Sequence, residues 1–300
     1  MDLMQAMKTY VTVVESGGFT AAARKLDISL SVVSRVVTEL EAHLGVRLLT
    51  RTTRVVRPTD TGAAYFDNCK RILGDIEEAE LAAAGTHASP RGHLVVTAPV
   101  LFGALHVTPI VVDYLRRYPE VAVNCLLLDR NVNLIEEGVD VGVRIGELPS
   151  SSLQAIPVGR VRRVVCASPS YLKEHGLPRT PEDLARHTLI QTTSINSLAE
   201  WRFMHEGAAI TYRLTPRLAT TTNDSAIAAA VAGLGLTRVL SYQIAGELWD
   251  DKLRVVLADY EPAPAPIHVI HREGRHAMQK VRAFLDLAID TLRADKSLNG

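Results

Sequence analysis

Three short helical patterns follow one another within the first 45 residues with almost nothing between them, and that compression limits what the chain can become. Leu3, Ala6, Met7, Tyr10, Val13 and Val14 recur at helical spacing, and Gly17-Gly18 ends the run. Phe19 precedes Thr20, read as an N-cap, and an alanine-rich helix continues to about Leu26. Asp27-Ile28 make a brief turn, Ser29 caps a third helix, and Gly45 closes it after Leu44. On this third helix Val33, Val37, Leu40 and Leu44 define a buried stripe. Ser31, Ser34, Arg35 and Thr38 occupy another face, with short or fork-shaped donors that suit phosphates and base edges. A polar helix face is ordinarily just solvated. A short helix and a tight turn directly before this one make a helix-turn-helix instead.

The segment from Val46 to Pro58 holds Arg47, Arg51, Arg54 and Arg57, many β-branched residues and no acid. Two short strands joined at Arg51-Thr52-Thr53 would make a basic wing beside the recognition helix. Residues 1–62 carry eight Lys/Arg against six Asp/Glu, so half of the basic residues of this region sit in the wing. That local footprint is what phosphate contacts require. It matters because the whole chain, with 33 basic and 33 acidic residues, has no net charge to advertise a nucleic-acid partner.

Phe19-Thr-Ala-Ala-Ala-Arg-Lys-Leu, Ser31-Val-Val-Ser-Arg-Val-Val-Thr-Glu-Leu-Glu, Leu44-Gly-Val-Arg-Leu-Leu-Thr-Arg-Thr-Thr-Arg and Thr59-Asp-Thr-Gly together resemble the LysR-type transcriptional regulators, in spacing as well as in residues. The resemblance implies that Phe19 to Thr38 is the helix-turn-helix. The residues expected at the DNA are Thr20, Ser29, Ser31, Ser34, Arg35, Thr38, Arg51, Thr53 and Arg54. Leu30 departs from the Gln that many members carry, so readout at the start of the recognition helix would be apolar, for instance to a thymine methyl, or absent.

From Thr59 to about Ala84, Tyr65, Cys69, Ile72, Ile76, Ala79 and Ala83 repeat at steps of four and three. The pattern fits a helix packed on its own domain or one paired with a second chain. A seam this regular, between a small DNA-binding unit and a Pro/Gly-marked boundary (Gly85 to Gly92), favours pairing. The family resemblance implies the same, since its members dimerise through this linker helix, and a tetramer is the family expectation. Two recognition helices would then read two half-sites.

Beyond Pro90-Arg91-Gly92 strands and helices alternate. Strands are predicted at His93–Ala98, Val121–Leu128 and Val139–Ile145, with helices from Pro99 to Tyr118 and from Asn131 to Gly138. A second set follows from Arg162, and a strand near Ile267–His271 and a last helix to Arg293 complete the chain. This rhythm predicts mostly parallel sheets covered by helices, in two lobes with a cleft between them. Cys166-Ala-Ser-Pro-Ser-Tyr-Leu, Leu177-Pro-Arg-Thr-Pro-Glu-Asp-Leu, and Asn223-Asp with Ala232-Gly-Leu-Gly-Leu resemble the effector domain of the same family, which is similar to periplasmic binding proteins.

The expected organisation is therefore a mainly α winged helix-turn-helix domain (1–60), a linker helix (61–88) and an α/β effector-binding domain (89–300), with lobe one near 92–160 and 268–295 and lobe two near 162–267. Ligands of such sheets sit at strand ends near helix N-termini. By position the effector candidates are Thr97, Pro99, Val100, Phe102, Asp129, Asn131, Arg144, Thr193, Ser194 and Asn223. Helix N-termini together with Arg144, whose fork can hold a carboxylate, suggest an anionic organic effector.

Other chemistries lack their signatures. His268, His271 and His276 have no partners at ligand spacing, Gly233-Leu-Gly235 lacks the spacing of a nucleotide loop, and no catalytic motif appears, so neither a metal, a cofactor nor an enzyme is expected. Three scattered cysteines suit a reducing compartment, and no apolar run is long enough to span a membrane. The expectation is a cytoplasmic, ligand-responsive regulator of promoter DNA, set against two rivals: an α/β enzyme with an interaction module, and a small-molecule binding protein without DNA function.

Overall fold

The first helix, α1 (Leu3–Glu15), begins where the Asp2 carboxylate accepts the Gln5 backbone N–H at 3.2 Å. In the computed structural model, which describes residues 1–51, 56–83, 89–149, 153–193, 200–213, 215–272 and 278–298, it is followed by α2 (Phe19–Leu26) and α3 (Leu30–Leu44). Asp27, left-handed at φ +53°, turns the chain between them, and Gly45 at φ +68° closes α3. Helix α2 starts one residue before the sequence suggests. Gly18 occupies its N-cap and no side chain caps it, so Thr20 is a helical residue rather than the cap.

Strands β1 (Leu49–Arg51) and β2 (Val56–Pro58) pair antiparallel, Arg51 opposite Val56. Helix α4 (Asp60–Ala83) follows, and its first turn is capped by Thr59, whose Oγ1 accepts the Gly62 N–H at 2.9 Å. Tyr10, Val13, Ala22, Val33, Val37, Leu40, Leu48 and Cys69 form one buried core. Tyr65 and Leu73 of α4 pack against it. The regular seam of α4 is thus partly an intradomain surface: at Tyr65 and Cys69 its apolar residues already face α1 and the wing. These elements, with residues 118–122 and 278–280, make up one compact unit.

The second unit contains two five-stranded sheets. Its elements in order are β3 (Gly92–Ala98), α5 (Val100–Phe102), a π-turn (Gly103–Val107), α6 (Thr108–Arg117), β4 (Val121–Leu127), β5 (Val141–Ile145), β6 (Gln154–Val161), β7 (Arg163–Ala167), α7 (Pro169–His175) and β8 (Leu189–Thr192). The hairpin β9 (Glu200–His205) and β10 (Ala208–Arg213) turns on Glu206-Gly207, both at positive φ. Then come β11 (Leu218–Thr220), α8 (Asn223–Val231), β12 (Leu236–Leu240), α9 (Ala245–Trp249), β13 (Arg254–Val256), β14 (Ala265–His271) and α10 (Gln279–Ala294).

The first sheet has the order β4-β3-β5-β14-β6 and the second β11-β8-β12-β7-β13. Both are mixed rather than mostly parallel. The chain returns to the first sheet as β14, antiparallel to β5 and β6, and enters the second as β7, antiparallel to β12 and β13. Residues 131–138 are not the expected helix. The Asn133 side chain accepts the Ile135 N–H at 3.1 Å, and Gly138 at φ +64° redirects the chain after one turn.

Candidate functional site

On the surface of α3, Leu30 is 49% exposed, and Ser31, Arg35 and Thr38 are also exposed while Ser34 is half-buried. Arg35 is held only by an open contact to Glu39 at 3.9 Å. Ser29 is committed to the fold: its Oγ accepts the Val32 N–H at 3.4 Å and lies 2.9 Å from the Ser31 hydroxyl. Thr38 donates to the Ser34 carbonyl at 2.8 Å. Arg47, just before β1, and Arg57 on β2 are exposed. Thr53 and Arg54 lie outside the described residues.

Sequence reasoning missed Glu41. Its Oε1 accepts both the Leu48 and the Leu49 backbone N–H, at 2.8 and 3.0 Å, and so ties α3 to the base of the wing. An acid near the end of a helix beside a basic strand reads from sequence as a surface charge.

In the larger unit the positional candidates divide. Thr97 is fully buried and donates to the Leu126 carbonyl at 2.7 Å, linking β3 to β4. Beyond Pro99, the Val100 N–H is taken by the Asp129 carboxylate at 3.0 Å. Phe102 is buried, its ring tilted 34° against His106 at 4.7 Å and meeting Tyr242 edge-on at 5.3 Å. Arg144 gives its donors to the Val143 and Val132 carbonyls at 2.9 and 3.5 Å. Thr193 binds the Thr220 carbonyl through both its N–H and its hydroxyl. Asn223 opens α8, Asn131 is exposed, and Ser194 lies outside the described residues. Thr97, Asp129, Arg144 and Thr193 thus spend polar groups on neighbouring backbone.

A cavity of about 690 Å³ lies elsewhere, lined by Gly146 and Glu147 after β5, by residues 262–266 leading into β14, by Arg163 and Arg238 of the second sheet, and by Glu200 and Arg202 of the β9–β10 hairpin. Arg163 on β7 and Arg238 on β12 are diagonal neighbours on one face, because Arg238 pairs with Val165 and Leu240 with Arg163. Burial, and then the Arg163 guanidinium, push Arg238 down to about 9, while burial among protein atoms lowers Arg163. Both remain charged at neutral pH. Neither arginine was among the sequence candidates. The available signal was a charge at the start of one apolar strand, Arg163-Val-Val-Cys, and inside another, Leu236-Thr-Arg-Val-Leu.

The two segments joining the sheets are bonded to each other and to the turn after β12. The Arg162 N–H donates to the Ser241 hydroxyl at 3.2 Å, the Ser241 N–H returns to the Arg162 carbonyl at 2.9 Å, and the Arg162 side chain meets Glu261 at 3.4 Å. Among the described residues no cluster of His, Cys, Asp and Glu could hold a metal ion, and no helix is long and apolar enough to cross a membrane.

A winged helix-turn-helix followed by a two-lobed α/β unit defines a DNA-binding transcriptional regulator with an effector-binding domain. Residues 4–63 match the model of the bacterial regulatory helix-turn-helix protein, lysR family, and residues 87–293 match that of the LysR substrate binding domain. The chain belongs to the LysR family of transcriptional regulators. It is 34% identical to an HTH-type transcriptional repressor of Pseudomonas aeruginosa, over 97% of this chain and 92% of the relative. The structure of the LysR-type regulator CrgA from Neisseria meningitidis, 31% identical, superposes with a TM-score of 0.62 over 96% of this chain and 98% of that one. Full-length AphB, a virulence activator of Vibrio cholerae, is 25% identical with a TM-score of 0.61, covering 97% and 99%.

Proposed function

We propose that Ser31, Ser34, Arg35 and Thr38 read the major groove of promoter DNA, that the wing arginines, Arg51 and Arg54 among them, hold the phosphates with Thr53, and that a small organic anion in the larger unit alters this binding. The observation that carries the reading is the exposed, weakly held Arg35 fork on a capped recognition helix beside an acid-free wing. An arginine in that position suits the two acceptors on a guanine edge. Thr20, near the start of α2, suits a flanking phosphate.

The protein works in the cytoplasm as a regulator and not as an enzyme. It acts as a homodimer through the part of α4 beyond Leu73, and two dimers make the tetramer typical of the family. A dimer presents two recognition helices to two half-sites of a palindromic operator. The effector shifts DNA binding only by the difference between its affinities for two states of the protein.

A gel shift on the promoter region beside its own gene, repeated across salt concentrations, tests the reading. Specific binding with a steep salt dependence is expected, and an added effector should change it. Binding no tighter than to unrelated DNA, with and without small molecules, would overturn it.

A further inference from the structure

We infer that the cavity beside the lobe-joining segment is a dianion site, in which Arg163 and Arg238 hold two charged oxygens of one small ligand, a dicarboxylate or a phosphate monoester. The inference rests on the reading of the larger unit as effector-sensing. It goes further in naming the site, the residues and the charge of the ligand.

Three arginines and two glutamates line this cavity, but their pairing is uneven. Arg202 is matched by Glu200 at 3.0 Å. Arg163 has no hydrogen-bonding or ion-pair partner among the described residues. Arg238 donates through Nη2 to the Arg202 carbonyl and lies 5.4 Å over the Phe203 ring, while its Nε is buried without a partner among the described residues. Arg163 is exposed at the cavity mouth and Arg238 is half-buried, so these two guanidinium groups on adjacent strands repel each other across a partly solvated gap. The repulsion raises the free energy of the protein alone and is relieved by a ligand that brings negative charge to both forks. The Arg163 fork can grip a carboxylate or phosphate edge with two parallel bonds, while Arg238, with Nη2 already on the Arg202 carbonyl, has Nη1 left to donate. A monoanion satisfies one fork and leaves the other opposed.

The rest of the wall defines the body of the ligand. Pro262-Ala-Pro-Ala-Pro266 runs along it, and its three prolines have no N–H to offer. This side therefore presents apolar surface and carbonyl oxygens, which exclude negative charge and direct it to the arginines. The Gly146 N–H is already bonded to the Pro266 carbonyl at 2.8 Å. A volume of about 690 Å³ accommodates a short chain or a single ring. Such a ligand touches the second sheet through its charges and the segment entering the first sheet through its body, so it acts where the two lobes are joined.

Isothermal titration of the full-length protein at fixed ionic strength tests the site with four probes: glutarate and phthalate as dicarboxylates, phenyl phosphate as a monoester, and pentanoate as a monoanion. One dianion arm should bind at least tenfold more tightly than pentanoate, and the arm that does so identifies the ligand's chemistry. Arg163→Met and Arg238→Met should each weaken that binding at least tenfold, while Arg254→Met, on β13 opposite Ala167 at the other end of β7, should leave it within twofold. Arg163 opens to solvent, so its variant folds even if the Arg238 variant does not, and circular dichroism checks both. Dianions that bind no better than pentanoate, or binding unchanged in a folded Arg163→Met protein, would overturn the site. Promoter binding that still responds to some other small molecule would then leave the regulator reading intact, whereas loss of specific promoter binding in the wild type would remove that reading independently.

Discussion

Glu41 and Arg35 sit on the same helix and do different work. The Glu41 carboxylate accepts two backbone N–H groups at the start of the wing. Glu41→Ala leaves both amides without that acceptor, so it should cost about 1–3 kcal/mol of stability, read as a lower urea midpoint. Glu41→Gln keeps one oxygen in place and should restore most of the loss. A wild-type midpoint for Glu41→Ala would show that water replaces the carboxylate. Arg35 makes only the 3.9 Å contact to Glu39, so Arg35→Ala should leave the midpoint within about 0.5 kcal/mol. The same variant should weaken specific operator binding by about 1–3 kcal/mol and relax the base preference at one position, and a gel shift with substituted operators measures both. Unaltered preference would exclude Arg35 as a base reader. Of the two, only the proposal for Arg35 could be made from the sequence. An exposed arginine on a recognition helix declares itself by spacing, whereas the partner of Glu41 is backbone that becomes adjacent only after the chain turns at Gly45.

At the scale of elements, periodicity located the helices well and their partners poorly. The steps of four and three along α4 were visible, but a seam does not say which surface will cover it. Tyr65 and Cys69 are covered by the core of their own unit. The contact is close enough that Gly62 touches the wing: a Cβ there would meet the Leu48 carbonyl oxygen at 1.9 Å, and the Tyr10 hydroxyl donates to the Gly62 carbonyl at 2.9 Å. Gly62→Ala should therefore destabilise the DNA-binding unit by at least about 1–3 kcal/mol, the usual cost of overpacking. A loss of urea midpoint together with operator binding is the expected result, and a wild-type midpoint would contradict the packing. The same limit explains residues 131–138, where an Asn133 side chain competes for the backbone and ends the helix within a turn. It also explains the sheets. Strand existence follows from local pattern, but the antiparallel return of β14 depends on pairing across more than a hundred residues of chain. The arginine cavity was hidden for the same reason, since Arg163 and Arg238 become neighbours only through the register of β7 and β12.

Over the whole molecule, acid sensitivity can be derived from three histidines in separate places. Burial lowers His93, with Lys70 and Lys280 adding to the effect and Asp67 and Glu15 opposing it. Burial lowers His106 in spite of Asp295 at 3.1 Å, in an aromatic setting made by Phe102 and Tyr242. Burial also lowers His187, joined by His175 and opposed by Asp183. Each is therefore protonated more readily in the unfolded chain, where the ordinary value is near 6.5. The unfolded state binds more protons below that value, so stability is fully present above it and is lost as pH falls through it. Glu261, raised by burial against the pull of Arg162, acts in the opposite sense, as a single group against three among the described residues. The urea midpoint of the full chain should thus fall between pH 7.5 and pH 5.5, and His106→Gln, which retains a donor for Asp295, should fall less steeply. A midpoint that stays level or rises over this window would mean that the three imidazoles are as free to take up a proton in the folded protein as in the unfolded one. Because each lies in a different part of the structure, combining His106→Gln with substitution of His93 or His187 should flatten the slope additively.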